Sequence, residues 1–315
     1  VYNEIQTIEK VFSSIQNSNY KRKEVFFVDG MSDDGTYEWL KNAIDGIPDY
    51  YLEKNEKQYV SYGFNSIFPK TKGKYVSRLD GHTIYPSGYF EKAIKILERD
   101  AADVVGGPAN HVGKTWRGET IARCMMHPFG VGLSSFRTET RKQYVDTVPF
   151  PVYKRSVLEK VGVYDEELVR NQDDELNYRC GAKGYRILMT PTLGTEYSVR
   201  ENLSDLWKQY FQYGLFKPLV FKKVPQGKRW HHFMPVMITV LLPVLLALSL
   251  FHWSFLLPVM TYCTLLVIIS GSIQNSMGKK FYSMLVFPCL HFGYGLGFTS
   301  GQIDLSIKPI LKRDY

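Results

Sequence analysis

The stretch EVFFVDGMSDDGT, residues 24–36, decides the fold. Its first half is a run of apolar and β-branched residues typical of a buried strand, and it ends on Asp29 before a turn rich in Gly, Ser and Asp. The stretch KYVSRLD, residues 74–80, repeats this pattern and ends on Asp80, before a Gly-His pair. We therefore predict two strands whose carboxyl ends carry acidic side chains.

Helical patterns surround these strands. Apolar residues recur at helical spacing over residues 4–18, 35–44 and 86–99. Strands that alternate with helices indicate an α/β fold with a mostly parallel sheet covered on both faces. Such sheets bind ligands beyond the carboxyl ends of their strands, so we expect Asp29 and Asp80 to lie at the same edge.

The composition indicates a folded chain with a sizeable apolar core. Of the 315 residues, 44% are hydrophobic and 15% are aromatic, which excludes a low-complexity disordered chain. The four cysteines are scattered and form no CxxC pair, which excludes a disulfide scaffold and a cysteine-bound zinc. The net charge of +8 is concentrated beside apolar runs without a nucleic-acid-binding motif, so we expect no nucleic-acid partner.

Two compositions share the chain, because almost all of the charge lies in residues 1–230. Three uncharged runs follow, at residues 233–251, 253–270 and 281–299. At 1.5 Å per residue, helices of this length span about 27–29 Å, close to the thickness of the hydrocarbon core of a bilayer. We predict membrane helices for the first two runs. The third contains glycines and a histidine, and a re-entrant or interfacial segment is the alternative there.

The charges beside these runs predict an orientation. Lysine and arginine precede the first run, at positions 217, 222, 223, 228 and 229, and Lys279–Lys280 separates the second run from the third. Positive residues favour the cytoplasmic side. We therefore predict a protein of the inner (plasma) membrane that contacts membrane lipid and has residues 1–230 in the cytoplasm. The basic tail would lie outside after three crossings, against this rule, so the number of crossings stays open.

Asp80 and His82 form the first candidate site. A carboxylate and an imidazole two residues apart, after a strand, can both reach one divalent cation, and Gly81 permits a close approach. Such a set suits Mn²⁺ or Mg²⁺ that carries a diphosphate. An Asp-Gly turn without a ligand is the alternative, and the surrounding motifs favour the metal site.

Five motifs in a fixed order provide that context. They are VYNE (1–4), VDGMSDDGT (28–36), YVSYGFN (59–65), RLDGHT (78–83) and RNQDDELNYR (170–179). In this order they resemble inverting family 2 glycosyltransferases with the GT-A fold, and most of all the membrane-attached bacterial branch typified by succinoglycan-type exopolysaccharide glucosyltransferases. The resemblance spans about residues 1–220. It implies a GT-A (Rossmann-like) mixed, mostly parallel sheet flanked by helices, with a first strand expected to precede Val1.

The resemblance also implies roles for individual residues. The nucleotide of a UDP-sugar donor would be bound by Tyr2, Asn3, Glu4, Asp29, Asn65 and Asp80. Asp80 and His82 occupy the positions of the family's DxD metal motif, with His in place of the second Asp, so the implied cofactor is Mn²⁺ or Mg²⁺. Gly30 stands where the family commonly has a second acid. For Asn65, a polar residue on a helix surface is the alternative.

The catalytic base is predicted within NQDDELNYR. Asp173, Asp174 and Glu175 are adjacent, so on a helix they point in different directions and only one can face the reacting groups. The family's base is the Asp of a Glu-Asp pair, and Asp173 matches it, with Gln172 in place of the Glu. Inversion needs one base that accepts the proton of the acceptor hydroxyl. The other two acids are expected to complement the helix dipole.

The segment between the two parts of the chain contains candidates for acceptor binding. Residues 202–224 place apolar side chains on one helical face, which indicates an amphipathic helix at the bilayer surface or packed on the catalytic domain. Weak candidates for contacts with the acceptor or its phosphates are Arg137, Gln172, Arg200, Gln209 and Lys217. QGKRW, residues 226–230, matches the QxxRW motif of processive synthases. It follows Asp173 by 53 residues, however, and QYFQY, residues 209–213, fits that family's interval better.

These expectations combine into one prediction. Residues 1–200 form a GT-A glycosyltransferase domain, residues 201–230 an amphipathic interfacial segment, and residues 231–315 a membrane region with two or three helices. The predicted activity moves one sugar, with glucose expected, from a nucleotide-diphosphate sugar to a polyprenyl-diphosphate-linked acceptor in exopolysaccharide, capsule or cell-surface glycan synthesis. A processive polysaccharide synthase and a non-catalytic membrane-anchored nucleotide-sugar-binding protein are the alternatives.

Overall fold

A computed structural model describes residues 1–132 and 141–307 of the chain. The strands are β1 Val25–Asp29, β2 Tyr50–Lys54, β3 Tyr75–Ser77, β4 Thr83–Ile84, β5 Val104–Gly106, β6 Ala109–Val112, β7 Gln143–Tyr144, β8 Val152–Lys154, β9 Ile187–Met189 and β10 Thr195–Ser198. The helices are α1 Ile8–Gln16, α2 Thr36–Ala43, α3 Val60–Ile67, α4 Tyr89–Glu98, α5 Trp116–Met125, α6 Pro128–Val131, α7 Arg155–Val161, α8 Gln172–Ala182, α9 Leu203–Lys223, α10 Met234–Leu248, α11 Leu256–Ile273 and α12 Met277–Ile307.

By its internal contacts the chain divides into two compact units, which are described separately. Unit 1 comprises Val1–Asn110 and Glu139–Tyr197, and unit 2 comprises His111–Thr138 and Ser198–Tyr315. Residues 111–132 group with the C-terminal helices by their contacts, whereas the prediction of a domain over residues 1–200 placed them in that domain. The domain boundaries themselves stay a prediction.

The strands of unit 1 form mixed sheets. β1 and β2 pair in parallel, and a five-stranded sheet has the order β3-β8-β5-β9-β7, in which the β5–β9 pair is parallel and the other three pairs are antiparallel. A third sheet has the order β4-β10-β6. The predicted mixed sheet flanked by helices is confirmed. The share of antiparallel pairs is larger than expected, because β8 runs between β3 and β5 in the direction opposite to both.

Apolar stripes on the helices explain why unit 1 packs as it does. The predicted stripe of α1 is buried, with Ile8 and Phe12 in one cluster with Phe27 of β1 and Leu40 of α2. A second cluster packs α4 against β5, β8 and β9. Burial of these side chains supplies the main free energy that holds the strands in place.

Strand β3 is shorter than its sequence pattern predicts. Its last paired residue is Ser77, opposite Val152, because its partner β8 has three residues. The chain therefore leaves the sheet immediately before Arg78. Residues 78–82 are thus free of ladder hydrogen bonds and can present their side chains to a ligand.

Unit 2 is built around a close contact between α9 and α12. A Cβ atom added at Gly214 of α9 would lie 2.1 Å from the carbonyl oxygen of Tyr294, and one added at Gly297 of α12 would lie 2.1 Å from that of Phe211. Glycine is required here, because the two backbones touch. The third apolar run is one continuous helix, and its glycines are explained by this packing rather than by a break in the helix.

Helix α9 packs against α12 within unit 2. Its residues 214–221 are all buried within unit 2, where α12 covers them. Neither alternative named α12 as the partner. Residues 214–221 are therefore used for helix packing, and a contact of α9 with the bilayer or the catalytic domain stays a prediction.

Two helices of unit 2 are long and apolar enough to cross a membrane. They are Trp253–Ile273, which includes α11, and Met277–Ser306 of α12, whereas α10 has 15 residues and is shorter. Within Trp253–Ile273 Ser270 is the one buried residue, and Leu250 and Phe251 before the segment are each 86% exposed. A large exposed apolar surface of this kind marks an interaction site.

Candidate active site

Three charged side chains meet where the chain leaves β3. The Arg78 guanidinium donates through Nη1 to Asp80 Oδ1 and through Nη2 to Asp173 Oδ2, the second at 2.9 Å. The side chains of Arg78, Asp80 and Asp173 are 13%, 22% and 29% exposed. One guanidinium therefore joins two predicted site residues from distant segments, and both carboxylates stay accessible to a ligand.

Local structure explains how Asp80 and Asp173 both reach the Arg78 guanidinium. Arg78 and Asp80 are two residues apart in the segment that follows β3, and their side chains are in direct contact. Asp173 lies in the first turn of α8, which begins after Asn171 in the left-handed conformation, with φ of 60°. The first turn of α8 thus places the Asp173 carboxylate within hydrogen-bond distance of Arg78.

The three adjacent acids point in different directions, as the helix geometry predicts. Asp174 accepts a hydrogen bond from Thr147 Oγ1 at 3.1 Å. Glu175 is buried and pairs with Arg179 at 2.6 Å. Of the three, Asp173 is the acid that meets Arg78, whereas Glu175 serves a structural ion pair.

Asp173 has a second fixed partner. Tyr164 donates its hydroxyl to Asp173 Oδ1 at 2.6 Å. Asn65 holds the backbone of Tyr164 in turn, because its Nδ2 donates to Tyr164 O at 2.8 Å and its Oδ1 accepts from Tyr164 N at 3.1 Å. Burial, and then the charge of Asp173, raises the pKa of the Tyr164 hydroxyl well above its ordinary value, so the hydroxyl stays a donor. The donor-site role of Asn65 stays a prediction.

The charged forms of Arg78 and Asp80 stabilise each other. Burial opposes the charge of Arg78, but Asp173 and then Asp80 raise its pKa well above the ordinary value. Burial likewise acts to raise the pKa of Asp80, and Arg78 followed by His82 more than offsets it, so the pKa of Asp80 is lowered. At neutral pH the site therefore contains a permanent cation and an ionised Asp80.

His82 is oriented by Glu4. Its Nδ1 lies 2.9 Å from Glu4 Oε1. Gly81 makes this contact possible, because a Cβ atom there would lie 2.9 Å from Glu4 Cγ. Burial acts to raise the pKa of Glu4, but the hydrogen bond with His82 dominates and lowers it. Glu4 was predicted to bind the nucleoside, and its contact with the imidazole was not foreseen.

The donor set fits a divalent cation that is shared with a substrate. Metal-binding histidines usually hydrogen-bond a carboxylate through their second ring nitrogen, and the Glu4–His82 contact has this form, which would leave Nε2 for a metal. Within residues 1–132 and 141–307, no cluster of three or more His, Cys, Asp or Glu side chains could hold a metal by itself. Mg²⁺-type sites take one or two protein carboxylates and complete the shell with water and substrate phosphates. Asp80 and His82 suit that arrangement.

The remaining nucleotide candidates lie around the turn after β1. Asp29 is 1% exposed and accepts from Ser32 N at 3.0 Å and from Ser32 Oγ at 2.6 Å. Asn3 and Asp33 exchange two hydrogen bonds, at 2.8 and 3.0 Å, and Tyr2 is half exposed. These contacts fix the N-terminal segment on the turn, and a nucleoside role for its residues stays a prediction.

The weak acceptor candidates are scattered. Gln172 is buried at the start of α8 in unit 1. In unit 2, Arg200 is exposed, Gln209 is buried and donates to Tyr213 Oη at 2.9 Å, and Lys217 is buried with its Nζ 5.9 Å from the Phe221 ring. Arg137 lies outside the described residues. Arg200 is thus the accessible candidate in unit 2.

Sequence reasoning missed Arg78 and Tyr164 as members of the site. Arg78 lies inside the motif RLDGHT and Tyr164 lies in the stretch VGVYDEEL, residues 161–168, but neither has a residue type that the chemistry of transfer demands. The i, i+2 spacing of Arg78 and Asp80 was a usable pattern, because it places the two side chains together. For Tyr164, which reaches Asp173 across a loop, the sequence contains no such pattern.

Comparison with known proteins places the chain in a family. The profile of glycosyl transferase family 2 matches residues 1–162. The chain belongs to glycosyl transferase family 2. It is 29% identical over 261 residues to the succinoglycan biosynthesis protein ExoA of Rhizobium meliloti (strain 1021), a match that covers 80% of this chain and 76% of that protein.

Solved structures agree on the fold of this family 2 glycosyltransferase. The mannosyltransferase PcManGT from Pyrobaculum calidifontis, in complex with GDP-Man and Mn²⁺, superposes with a TM-score of 0.65 at 15% identity and covers 98% of this chain and 85% of its own. Residues 1–349 of S. aureus TarS, in complex with UDP-GlcNAc, superpose with a TM-score of 0.54 at 13% identity and cover 96% of this chain and 90% of that one. The GT-A fold is therefore confirmed.

Proposed function

We propose that this glycosyltransferase moves one sugar from a nucleotide-diphosphate sugar to a polyprenyl-diphosphate-linked acceptor, with inversion at the anomeric carbon. The observation that carries the proposal is the Arg78 guanidinium, which holds the carboxylates of Asp80 and Asp173 together. UDP-glucose is the expected donor, because the resemblance is greatest to exopolysaccharide glucosyltransferases. The similarity to a succinoglycan biosynthesis protein supports a product in exopolysaccharide or another cell-surface glycan.

Each side chain has a separate task in this proposal. Asp173 accepts the proton of the acceptor hydroxyl as the new bond to the anomeric carbon forms and the bond to the diphosphate breaks. Asp80 and His82 would hold Mn²⁺ or Mg²⁺, which when bound supplies positive charge to the leaving diphosphate. Glu4 orients His82, and Tyr164 orients Asp173. Tyr2, Asn3, Asp29 and Asn65 are proposed to shape the nucleotide pocket.

Metal use is supported by a structural neighbour and by chemistry. PcManGT was solved with GDP-Man and Mn²⁺. In this chain the pair of Asp80 and His82 combines a hard oxygen ligand with an imidazole, which suits Mn²⁺ better than Mg²⁺. We therefore propose Mn²⁺ as the preferred cation.

Membrane attachment is proposed from the exposed apolar surface of unit 2. The segment Trp253–Ile273 is long enough to cross a bilayer and has little cover within the chain. Lysine and arginine at positions 222, 223, 228 and 229 precede α10, which favours a cytoplasmic location for the residues before them. A lipid-linked acceptor cannot leave the bilayer, so attachment keeps enzyme and acceptor in the same membrane.

A single addition is favoured over processive synthesis. Gln226 and Trp230 of the QGKRW string are exposed in two short 3-10 turns, and Trp230 has 66% of its surface accessible. An aromatic residue that stacks on a growing polymer is expected in a packed binding channel. The interval of 53 residues between Asp173 and QGKRW is also longer than the processive family keeps, which argues against QGKRW as the working motif.

The test is a donor panel with a mass readout. The purified full chain is incubated with Mn²⁺, membrane lipid extract and one UDP- or GDP-sugar at a time, and the lipid products are analysed by mass spectrometry. One added hexose from UDP-glucose is the expected result. A ladder of many sugars would assign processive synthesis, and nucleotide binding without any product or donor hydrolysis would assign a non-catalytic binding protein.

A further inference from the structure

Arg78 differs from other partly buried arginines of unit 1 in what it contacts. Among the described residues it donates to two carboxylates, Asp80 and Asp173, and to no backbone carbonyl. Its buried Nε has no hydrogen-bond partner within residues 1–132 and 141–307. Arg155 has a similar exposure, 18% against 13%, but its Nε donates to Gly73 O at 2.7 Å and its Nη2 donates to Thr71 Oγ1. Arg155 therefore stabilises a loop, whereas Arg78 connects the carboxylates of two predicted site residues.

We propose that Arg78 is a positioning residue for sugar transfer, which fixes the carboxylate of Asp173 relative to that of Asp80. The inference rests on the proposed role of Asp173 as the base. In this proposal Arg78 sets the distance between Asp173, the base, and Asp80, the acid that would bind the metal cation.

Geometry explains why an arginine is used. The guanidinium is a rigid planar fork, so its two Nη groups hold two oxygen atoms at a set separation and in a set plane. Tyr164 holds the other oxygen of Asp173 at 2.6 Å, which leaves the carboxylate two fixed donors and little freedom to rotate. The remaining lone pairs of Asp173 are then aimed in one direction.

Charge gives a second reason. Asp80 and Asp173 are both only partly exposed, and two carboxylates in such a site repel each other. A cation between them removes the repulsion without occupying the face that a ligand would use. A lysine would keep the charge but has one ammonium group, which cannot hold both carboxylates in the same geometry.

The experiment compares Arg78→Lys and Arg78→Gln with Arg155→Lys as the matched control. Transfer is followed as UDP release from UDP-glucose with membrane lipid extract, and binding is followed by calorimetry with UDP and, separately, with Mn²⁺. We expect kcat to fall about 100-fold in both Arg78 variants, the loss typical of a misplaced catalytic group. In Arg78→Lys, which keeps the charge, the Kd for UDP and for Mn²⁺ and the melting temperature should stay close to those of the native chain. Arg155→Lys should keep the native kcat.

A double-mutant cycle with Asp173→Asn identifies the residue through which Arg78 acts. If Arg78 acts through the base, Arg78→Lys causes no further loss in the Asp173→Asn background, since groups that act as a unit are non-additive. Independent losses would contradict the proposal, as would a melting temperature and UDP affinity that collapse in both Arg78 variants, which would assign a stability role. If the residual rate of Asp173→Asn falls to background, the kcat-against-Kd split of Arg78→Lys decides.

The two proposals fail in different ways. Full activity in Asp173→Asn would overturn the assigned base, whatever the Arg78 variants do. An inactive Asp173→Asn combined with a native kcat in Arg78→Lys would leave the base in place and overturn the role of Arg78 alone.

Discussion

Unit 1 and unit 2 each contain one decisive set of contacts, and the two sets differ in kind. In unit 1 the decisive contacts at the candidate site are charged, and they join Arg78 and Asp80 to Asp173, which is distant from both in sequence. In unit 2 the decisive contact is steric, because α9 and α12 approach so closely that glycine is required at Gly214 and Gly297. A change of charge in unit 1 should therefore alter chemistry with little effect on folding, and a change of size in unit 2 should do the reverse.

The largest effect is expected for Asp173→Asn. The amide keeps the size of the side chain but cannot accept the acceptor's proton, so transfer should fall by about 1,000-fold or more, in the upper range for loss of a general base. UDP binding in the presence of Mn²⁺ should be retained. The neighbouring variant Asp174→Asn is the matched control, since Asp174 contacts Thr147 rather than Arg78. Equal losses in the two variants would contradict the assignment.

The steric contact in unit 2 is tested by Gly297→Val. Its Cβ would lie 2.1 Å from the carbonyl oxygen of Phe211, so α9 and α12 must separate. We expect a destabilisation of about 3 kcal/mol, which lowers the melting temperature of the detergent-solubilised protein by roughly 6 °C or more.

Gly278→Ala provides the control on the same helix. A Cβ there meets no atom within 4 Å. This variant should melt at the native temperature or slightly above it, because alanine restricts the unfolded chain. A native melting temperature for Gly297→Val would show that the two helices do not depend on the close approach.

A smaller effect is expected for Glu4→Gln. Glu4 orients the imidazole of His82, and loss of such a partner typically weakens metal binding by about 10–100-fold. The measurement is a titration of Mn²⁺ in the presence of UDP, followed by electron paramagnetic resonance. Glu9→Gln, an exposed position of α1, is the control and should bind Mn²⁺ as the native chain does. An unchanged Mn²⁺ affinity in Glu4→Gln would remove His82 from the metal site.

The smallest effect is a pH dependence of stability in the absence of divalent cations. The pKa of Glu4 is lowered in the folded state by its hydrogen bond with His82, against the effect of burial. The contact therefore stabilises the fold above the unfolded pKa of about 4.3, and the stabilisation is lost as the pH falls through the folded pKa. The free energies of unfolding of the native chain and Glu4→Gln should differ by about 0.5 kcal/mol at pH 7, after solvent screening, and converge at pH 3. A difference that grows on acidification would contradict this linkage.

Much of the fold follows from local sequence patterns. The stripe of α1 and the apolar run of β1 appear where periodicity predicts them, because both elements bury one face against a shared cluster. The resemblance carried by the motifs reached the family and the GT-A fold. The end of β3 was misjudged, because strand length depends on the partner β8, which lies elsewhere in the sequence.

The acids of the site could be predicted from the sequence, but the residues that hold them in place could not. Asp80, His82 and Asp173 stand in motifs of the right residue types, so sequence could nominate them. Asp173 accepts hydrogen bonds from Arg78 and from Tyr164. Tertiary folding brings these residues together, so the contacts leave no periodic pattern in the sequence. The contact of α9 with α12 was hidden for the same reason, since a glycine in an apolar helix indicates close packing without naming the partner.

The most direct test of the central claim is an anomalous difference map from crystals of the full chain grown with Mn²⁺ and UDP. The account predicts one strong peak within coordination distance of the Asp80 carboxylate and of His82 Nε2, with the UDP diphosphate beside it and Asp173 facing the same cleft. A peak bound by other residues, or UDP seated on a part of unit 1 remote from Asp173, would contradict it.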